Sequence, residues 1–276
     1  MTAPATTTGR TAPTGGRGVA SLYAGNSRAV MARGWRATRS SNWMIVVSGF
    51  FEPIFYLLSM GIGLGALVGE VATADGDVSY AAYIAPALLA VAAMNGAIYD
   101  STWNVFFKMN FAKLYEGMLA TSLGPLDVAL GEISLALLRG AFYASGFLLV
   151  MQALGLNLSW WALLALPAVL LIAFGFASLG MAITSYMKTF QQMDWINFVL
   201  LPMFLLSATF FPITVYPQAV QWIIQAMPLW HGVELVRGLT TGAVHWGLLW
   251  HVLYYAVMIV VGVVFTTKRL RALFLD

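Results

Sequence analysis

The chain has 276 residues, of which 60% are hydrophobic and 9% are charged, and its mean hydropathy is +0.80. An average soluble domain carries about 25% charged residues, so this composition excludes an ordinary water-soluble protein and indicates an integral membrane protein. The net charge of +3 is spread along the chain, so we expect no nucleic-acid partner. The absence of cysteine excludes disulfides and thiolate metal sites.

The N-terminal part of the chain divides into two segments. Residues 1–18 are rich in Thr, Ala, Pro and Gly, and we interpret them as a disordered cytoplasmic tail. Residues 19–42 contain no acidic residue, and their arginines share one sector of a helical wheel: Arg28, Arg33, Arg36 and Arg39. This pattern predicts a basic amphipathic helix on an anionic membrane surface. The alternative is a merely positive linker before the first span.

Residues 43–276 form the predicted membrane domain. Six apolar stretches approach or exceed the roughly 20 residues that a helix needs to cross the hydrocarbon. Their apolar character is continuous rather than alternating, which predicts helices and not a barrel. The fold class is therefore an all-α integral membrane protein with spans at Trp43–Val68, Tyr80–Tyr99, Val128–Ala153, Trp161–Tyr186, Trp195–Ile213 and Trp246–Thr266.

The distribution of basic residues predicts the orientation of these spans. Of the 14 Lys and Arg residues, 12 lie before the first span, after the second, after the fourth or after the last. The positive-inside rule makes these segments cytoplasmic, so both termini are expected inside and the connection between spans five and six outside.

The first span carries two features of interest. Gly61, Gly65 and Gly69 recur at i+4 spacing, which lets another helix approach closely, either within the bundle or from a second subunit. Glu52 lies inside the same span, where a charge is costly. It is a candidate contact for substrate, or a carboxyl that is hydrogen-bonded within the bundle beside Pro53.

The cytoplasmic connection after span two is predicted to contain a short exposed helix between Phe107 and Leu123, ended by Gly124-Pro125. Its apolar residues fall at helical spacing and are interleaved with charged ones. An exposed apolar face of this kind must be covered by the membrane or by another protein. The residues concerned are Phe107, Phe111, Lys113, Leu114, Tyr115, Glu116 and Met118.

The segment after span five is broken by Pro212, Pro217 and Pro228, because proline removes a backbone donor and disfavours helix before it. From Pro228 onward, one helical face is apolar and the opposite face carries a polar stripe: His231, Glu234 and Arg237. The pattern predicts an amphipathic helix lying at the outer membrane surface. The stripe could gate the substrate exit or simply anchor the helix.

Three stretches together resemble one family. They are Glu52-Pro53 with GIGLG at 61–65, YEGMLATSLGPLDVALGE at 115–132, and FFPITVYP followed by PLWHGVELVRGL within 210–239. Over residues 20–270 the chain resembles the permease subunit of type-2 ABC exporters, most closely the NodJ-type branch that serves nodulation-factor, lipooligosaccharide and drug exporters.

The resemblance implies a dimeric permease unit, either homodimeric or heterodimeric, with two copies of an ABC ATPase that binds ATP and Mg. It implies that residues 107–123 form a coupling helix seated in the ATPase, that residues 19–42 form a connecting helix, and that external re-entrant helices follow span five. The inner membrane is the implied location. The chain itself lacks G-x-x-x-x-G-K-[ST], so we expect no ATP site and no enzymatic activity in it.

The remaining candidates concern charges and histidines. Glu132 and Arg139 are seven residues apart in span three, about 10.5 Å along the axis, so each needs another partner. Arg139 could snorkel to the inner interface or contact substrate. His245 and His251 have the wrong spacing for a two-histidine metal face, so no metal site is predicted. Alternatives to an exporter of lipid-linked glycans, lipids or hydrophobic drugs are an intramembrane lipid-modifying enzyme and an ion-coupled secondary transporter.

Overall fold

The computed structural model describes residues 23–39, 51, 54–73 and 76–274. Over these residues the chain is predominantly helical and contains one small hairpin. In chain order its elements are α1 (Ser27–Arg39), α2 (Ile54–Val68), β1 (Glu70–Thr73), β2 (Gly76–Ser79), α3 (Tyr80–Phe111), α4 (Leu114–Leu119), α5 (Pro125–Ala153), α6 (Trp160–Thr184), α7 (Met193–Leu206), α8 (Gln218–Ala226), α9 (Pro228–Thr241) and α10 (Leu248–Phe274).

Four of these helices, α3, α5, α6 and α10, are long and apolar enough to cross a membrane, counting only the described part of the chain. They overlap the second, third, fourth and sixth predicted spans. The helix α3 runs well past the predicted end at Tyr99 and continues to Phe111. The prediction stopped at Tyr99 because Asp100 opens a more polar stretch, and polarity alone does not end a helix.

The helix α3 lies at the centre of the bundle, packed against α5, α6 and α9. Over Tyr80–Tyr99 its sequence is apolar on every face and rich in alanine, as expected of a helix surrounded by others. Ala85, Ala87 and Ala90 are fully buried, and their small side chains let the neighbouring backbones come close. The helix α10 packs along α6 in the same way, where Gly262 lies directly against the backbone of Ser178.

The helix α2 packs on the beginning of α3 within the same chain. A Cβ atom on Gly61 would lie 3.3 Å from the Cβ of Ala81, and one on Gly65 would lie 4.0 Å from Tyr80. These two glycines therefore serve packing inside the bundle. The prediction that Gly69 extends the packing face is wrong, because Gly69 follows the end of α2 with a φ of 74° and begins the turn into β1.

The fifth predicted span, Trp195–Ile213, is wrong in its extent. The helix α7 ends at Leu206 after 14 residues and contains Pro202, which cannot donate a backbone hydrogen bond. Ser207 follows it, and Ala208 has a φ of 55° in the left-handed region, which a continuing right-handed helix does not allow. Of the first predicted span, residues 43–50 and 52–53, which include Glu52, lie outside the described residues.

One end of the bundle collects the basic residues, and we call it the basic end. It comprises α1, α4, the start of α5 and the ends of α3, α6 and α10. The opposite end carries the β-hairpin and the helices α8 and α9. We call these two helices the cap. The described cations of the basic end are Arg28, Arg33, Arg36, Lys108, Lys113, Lys188, Lys268, Arg269 and Arg271.

The helix α1 is fixed to the start of α5 by a buried carboxylate. Asp127 accepts hydrogen bonds from the backbone N–H groups of Ala24 at 2.7 Å, Asn26 at 2.9 Å and Gly124 at 2.9 Å. Next to this contact, Val30 packs on Gly131 so closely that a Cβ there would lie 2.5 Å from the Cβ of Val30. Asp127 thus caps α5 and holds the beginning of α1 at the same time.

Replacing Asp127 with Ala should release α1 from α5 without unfolding the bundle. Three N–H groups lose a charged acceptor, which we expect to cost about 1–3 kcal/mol. Hydrogen exchange of the Ala24 and Asn26 amides should become faster, and trypsin should cleave sooner after Arg28. Asp77→Ala, which removes an exposed carboxylate from β2, is the matched control and should leave both rates unchanged. Equal exchange in the two variants would contradict the role of Asp127.

Candidate functional site

Two ion pairs join α3 to α5 inside the bundle. The Arg139 Nη1 atom lies 2.6 Å from Asp100 Oδ1, and the Lys108 Nζ atom lies 2.5 Å from Glu132 Oε2. The Asn104 side-chain amide donates a further hydrogen bond of 2.7 Å to Asp100 Oδ1. We call these five residues the polar ladder.

The geometry of the polar ladder follows from the spacing of its residues. Asp100, Asn104 and Lys108 recur every four residues on α3 and therefore share one face. Glu132 and Arg139 are seven residues apart on α5, which is two turns. Because α3 and α5 run antiparallel, the acid of each helix meets the base of the other.

The prediction that Glu132 and Arg139 each need a separate partner is confirmed. The guanidinium of Arg139 is held by Asp100 within the bundle. The sequence alone does not identify Asp100 or Lys108 as those partners. The signal in the sequence is their i, i+8 spacing with Asn104 between them, which places all three residues on one face of a helix.

The ladder coincides with two irregular segments of α3. Residues Asp100–Asn104 and Phe107–Phe111 form π-helical turns, which are rare and often mark functional positions. Within the ladder the acids are the more deeply buried members. The side chains of Asp100 and Glu132 are 10% and 8% exposed, whereas those of Arg139 and Lys108 are 24% and 28% exposed. The accessible edge of the ladder is consequently cationic.

The predicted coupling helix is divided into two parts. Ala112 ends α3, and Lys113 adopts a φ of 47°, in the left-handed region that costs a non-glycine residue about 1–2 kcal/mol. The helix α4 then starts at Leu114 in a new direction. The prediction of one continuous helix over residues 107–123 is therefore wrong.

The break sorts the predicted coupling residues into exposed and buried groups. Phe107 and Phe111 are 58% and 63% exposed, and their rings stack with centroids 4.9 Å apart. Lys113 and Glu116 are exposed as well, and Leu114 is half-buried. Tyr115 and Met118 are buried, so the prediction that they belong to an exposed face is wrong.

Tyr115 anchors α4 in the protein interior. Its ring is fully buried, and burial raises the pKa of its hydroxyl well above the ordinary value, with the negative charge of Glu132 adding to the effect. The side chain therefore stays neutral at physiological pH. Through Tyr115, the short helix α4 is seated beside the polar ladder.

Arg237 is the central polar residue of the cap. Its guanidinium pairs with Glu234 at 2.8 Å, donates to the carbonyl oxygen of Ala208 at 2.8 Å and lies 3.9 Å from the ring centroid of Tyr83. Arg237 thus ties α9 to the start of α3 and to the strained turn after α7.

His231 forms the second polar contact of the cap. Its Nδ1 atom lies 2.7 Å from Nδ1 of His251, and its ring stacks on Tyr254 with centroids 4.0 Å apart. Burial lowers the pKa of His231 to about 4, and the neighbouring His251 adds to the effect. His231 is consequently neutral at physiological pH, which allows one ring to donate the shared hydrogen bond and the other to accept it.

The prediction that α9 lies on the membrane surface is wrong. Its apolar face is fully buried against α3, α6 and α10, and its stripe residues His231 and Arg237 are buried too. Close approach is possible because Gly232 leaves room for the Tyr255 hydroxyl, which donates to the Pro228 carbonyl oxygen at 2.8 Å. Among the predicted stripe residues, Glu234 alone is only partly buried.

The predicted site residues therefore fall into two separate groups. Arg139 joins the polar ladder near the basic end, whereas His231, Glu234 and Arg237 hold the cap at the other end. Within the described part of the chain, no cluster of three or more His, Asp or Glu side chains could hold a metal ion.

Replacing either member of the pair Asp100 and Arg139 should destabilise the protein more than replacing both. Arg139→Gln leaves the deeply buried carboxylate without its counter-ion, which costs about 3–5 kcal/mol, and Asp100→Asn leaves the partly buried guanidinium unpaired at a smaller cost. In the double variant no charge remains unpaired. Thermal unfolding of the detergent-purified protein should therefore give a strongly non-additive double-mutant cycle. Additive losses would mean that the pair is not energetically coupled.

Comparison with known proteins agrees with this architecture. Residues 26–241 match the family described as ABC-2 type transporter. The chain is 33% identical over 258 residues to Nodulation protein J of Rhizobium leguminosarum bv. viciae, covering 92% of this chain and 98% of that protein. Nodulation protein J of Rhizobium leguminosarum bv. trifolii is 32% identical, covering 88% and 92%. That of Rhizobium meliloti (strain 1021) is 31% identical, covering 80% and 84%.

The family match extends from α1 through the polar ladder and the cap helices to the end of α9, so both groups of site residues lie within it. The similarity to the nodulation proteins covers nearly the whole chain. The chain belongs to the ABC-2 type transporter family and is a NodJ-like membrane-spanning transport permease.

Proposed function

We propose that this chain is the membrane-spanning permease subunit of an ATP-driven exporter, working with two copies of a separate ABC ATPase and a second permease subunit. The observation that carries the proposal is the exposed, stacked pair Phe107 and Phe111 at the basic end. Two phenylalanines left open beside a short charged helix form a surface that needs a partner. Family membership makes an ABC ATPase the expected one.

The contacts at the basic end support a route for mechanical coupling. A push on Phe107 and Phe111 acts on α3 directly, because both residues belong to its last π-helical turn. From there the polar ladder transmits the displacement to α5, and Asp127 links α5 to α1. ATP-driven closure of the partner subunits would thereby move several helices together.

We further propose six spans, with both termini on the cytoplasmic side of the bacterial inner membrane. The helix α2 is the described part of the first span, and the short α7 together with the turn after it is the fifth. The concentration of basic residues at one end supports this orientation by the positive-inside rule. The cap then lies outside, where α8 and α9 cover the exit as re-entrant helices.

The cargo is proposed to be amphipathic: a lipid-linked glycan, a lipid or a hydrophobic drug. The cationic edge formed by Lys108 and Arg139 beside apolar helices suits a molecule with a polar head and an apolar body. The contacts of two candidate catalytic side chains are also a reason to prefer this function over an enzyme. The intramembrane hydroxyl of Ser145 is bonded to its own helix at Ala141, and His231 is engaged with His251.

Replacing both Phe107 and Phe111 with Asp should abolish binding of the ATPase while leaving the permease folded. The two side chains are exposed, so charge at these positions disrupts a partner contact and not the core. Pull-down of the co-expressed ATPase from detergent extracts, followed by its ATP turnover, measures the effect.

The matched control is Trp222→Asp with Ile223→Asp, which charges two exposed apolar residues of α8 in the cap, 66% and 57% exposed. This variant should retain the ATPase at the wild-type level. Retention of the ATPase by the Phe107 and Phe111 variant would refute the assigned docking surface, and a chain that never co-purifies with an ATPase would refute the exporter.

A further inference from the structure

A cleft of about 330 Å³ opens at the basic end between α4, the end of α6 and the end of α10. Its lining includes three cations, Lys113, Lys188 and Arg269, and one carboxylate, Glu116. The cleft therefore carries a net positive charge and attracts anions. Lys113 and Glu116 also belong to the predicted coupling segment, but no prediction concerns the cleft itself.

The cations of the cleft are not neutralised by ion pairs with described residues, and one of them is fixed in position. Lys113 and Lys188 form no ion pair with any described residue. Arg269 is fixed in place, because its Nε atom donates to the Ser185 carbonyl oxygen at 3.4 Å and its guanidinium lies 4.6 Å from the Tyr186 ring centroid. Its terminal nitrogens form no ion pair with any residue that the structure describes.

The backbone at Lys113 gives a second reason to suspect a ligand. Its φ of 47° is uncommon for a non-glycine residue, and strained conformations of this kind cluster at functional positions. The strain accompanies the sharp change of direction from α3 into α4. That change brings Lys113 and Glu116 to the wall of the cleft.

An apolar row on α10 leads into the same cleft. Val257, Val261 and Phe265 follow one another at i+4 spacing and are 56%, 42% and 53% exposed. Arg269 and Leu273 continue this row into the cleft lining. A ligand that fills the cleft and follows the row must therefore combine an anionic group with apolar chains.

We propose that the cleft binds the phosphate headgroup of an anionic phospholipid, whose acyl chains lie along the exposed row of α10. Lys113, Lys188 and Arg269 contact the phosphate, which Arg recognises well through its paired N–H donors. A water-soluble acidic peptide would satisfy the cations equally but would leave the apolar row uncovered. The proposal depends only on the protein being in a membrane and not on the exporter function.

Native mass spectrometry of the detergent-solubilised full chain tests this proposal. The wild-type protein is titrated with phosphatidylglycerol or with phosphatidylcholine of identical acyl chains. It should retain one molecule of phosphatidylglycerol in preference to phosphatidylcholine. Each basic residue near an anionic lipid contributes about fivefold to binding, so Lys113→Gln/Lys188→Gln/Arg269→Gln should lower this retention by at least about tenfold. Lys268→Gln/Arg271→Gln removes two charges from exposed positions of the basic end that belong neither to the cleft lining nor to α1, and this control should keep the preference.

A charge-preserving variant shows whether loss of lipid binding comes from lost charge or from misfolding. Lys113→Arg/Lys188→Arg/Arg269→Lys should bind phosphatidylglycerol like the wild type. Equal loss in the cleft variant and its matched control, or displacement of the lipid by inorganic phosphate, would overturn the proposal. So would a cleft variant that keeps the lipid but loses the co-expressed ATPase, since the occupant would then be an acidic group of that partner. The lipid titration needs no ATPase, so its failure would leave the exporter untouched.

Discussion

The need to pair charges inside an apolar bundle is the constraint on which the rest of this structure depends. An isolated ion at this depth costs several kcal/mol, so Asp100, Lys108, Glu132 and Arg139 are tolerable only as two pairs. Pairing is possible at one relative register of α3 and α5, because the acid and the base of each helix are about two turns apart. The polar ladder thus fixes the two helices that carry the basic end.

Everything at the basic end follows from this register. The last turn of α3 presents Phe107 and Phe111, and the left-handed Lys113 redirects the chain into α4, whose Tyr115 is buried beside the ladder. The start of α5 caps itself and holds α1 through the single carboxylate of Asp127. A force applied to the exposed phenylalanines therefore reaches α1, α3 and α5 through polar contacts that have defined geometry.

In the cap, too, the buried polar side chains have partners. Arg237 is buried and satisfied by Glu234, the Ala208 carbonyl and the Tyr83 ring. His231 and His251 share a hydrogen bond that needs no charge on either ring. The two ends of the bundle are consequently fixed by polar contacts, and the apolar middle between them carries none of these anchors.

The sequence predicted the features that depend on local composition. Long apolar stretches gave four of the helices now seen, the glycines Gly61 and Gly65 pointed to close packing, and the spacing of Glu132 and Arg139 excluded a pair between them. The failures have physical reasons. The partners Asp100 and Arg139 are 39 residues apart, and no local pattern encodes such a contact.

The remaining failures concern burial and backbone strain. The polar stripe of α9 suggested exposure at a membrane surface, but Arg237 finds its partners on α3 and after α7, which only the tertiary structure reveals. The end of α7 and the break at Lys113 depend on left-handed residues, Ala208 and Lys113, whose side chains do not favour that conformation. Such strained positions are imposed by packing and cannot be read from propensity.

The most direct test of the central claim is ATP-dependent transfer of a fluorescent amphipathic lipid across proteoliposomes that contain this chain and its ATPase. If the chain is an exporter permease, transfer requires ATP hydrolysis, stops when a hydrolysis-deficient ATPase replaces the active one, and is absent from vesicles that hold the permease alone. Transfer at the same rate without the ATPase, or driven by an ion gradient in the absence of ATP, would contradict it.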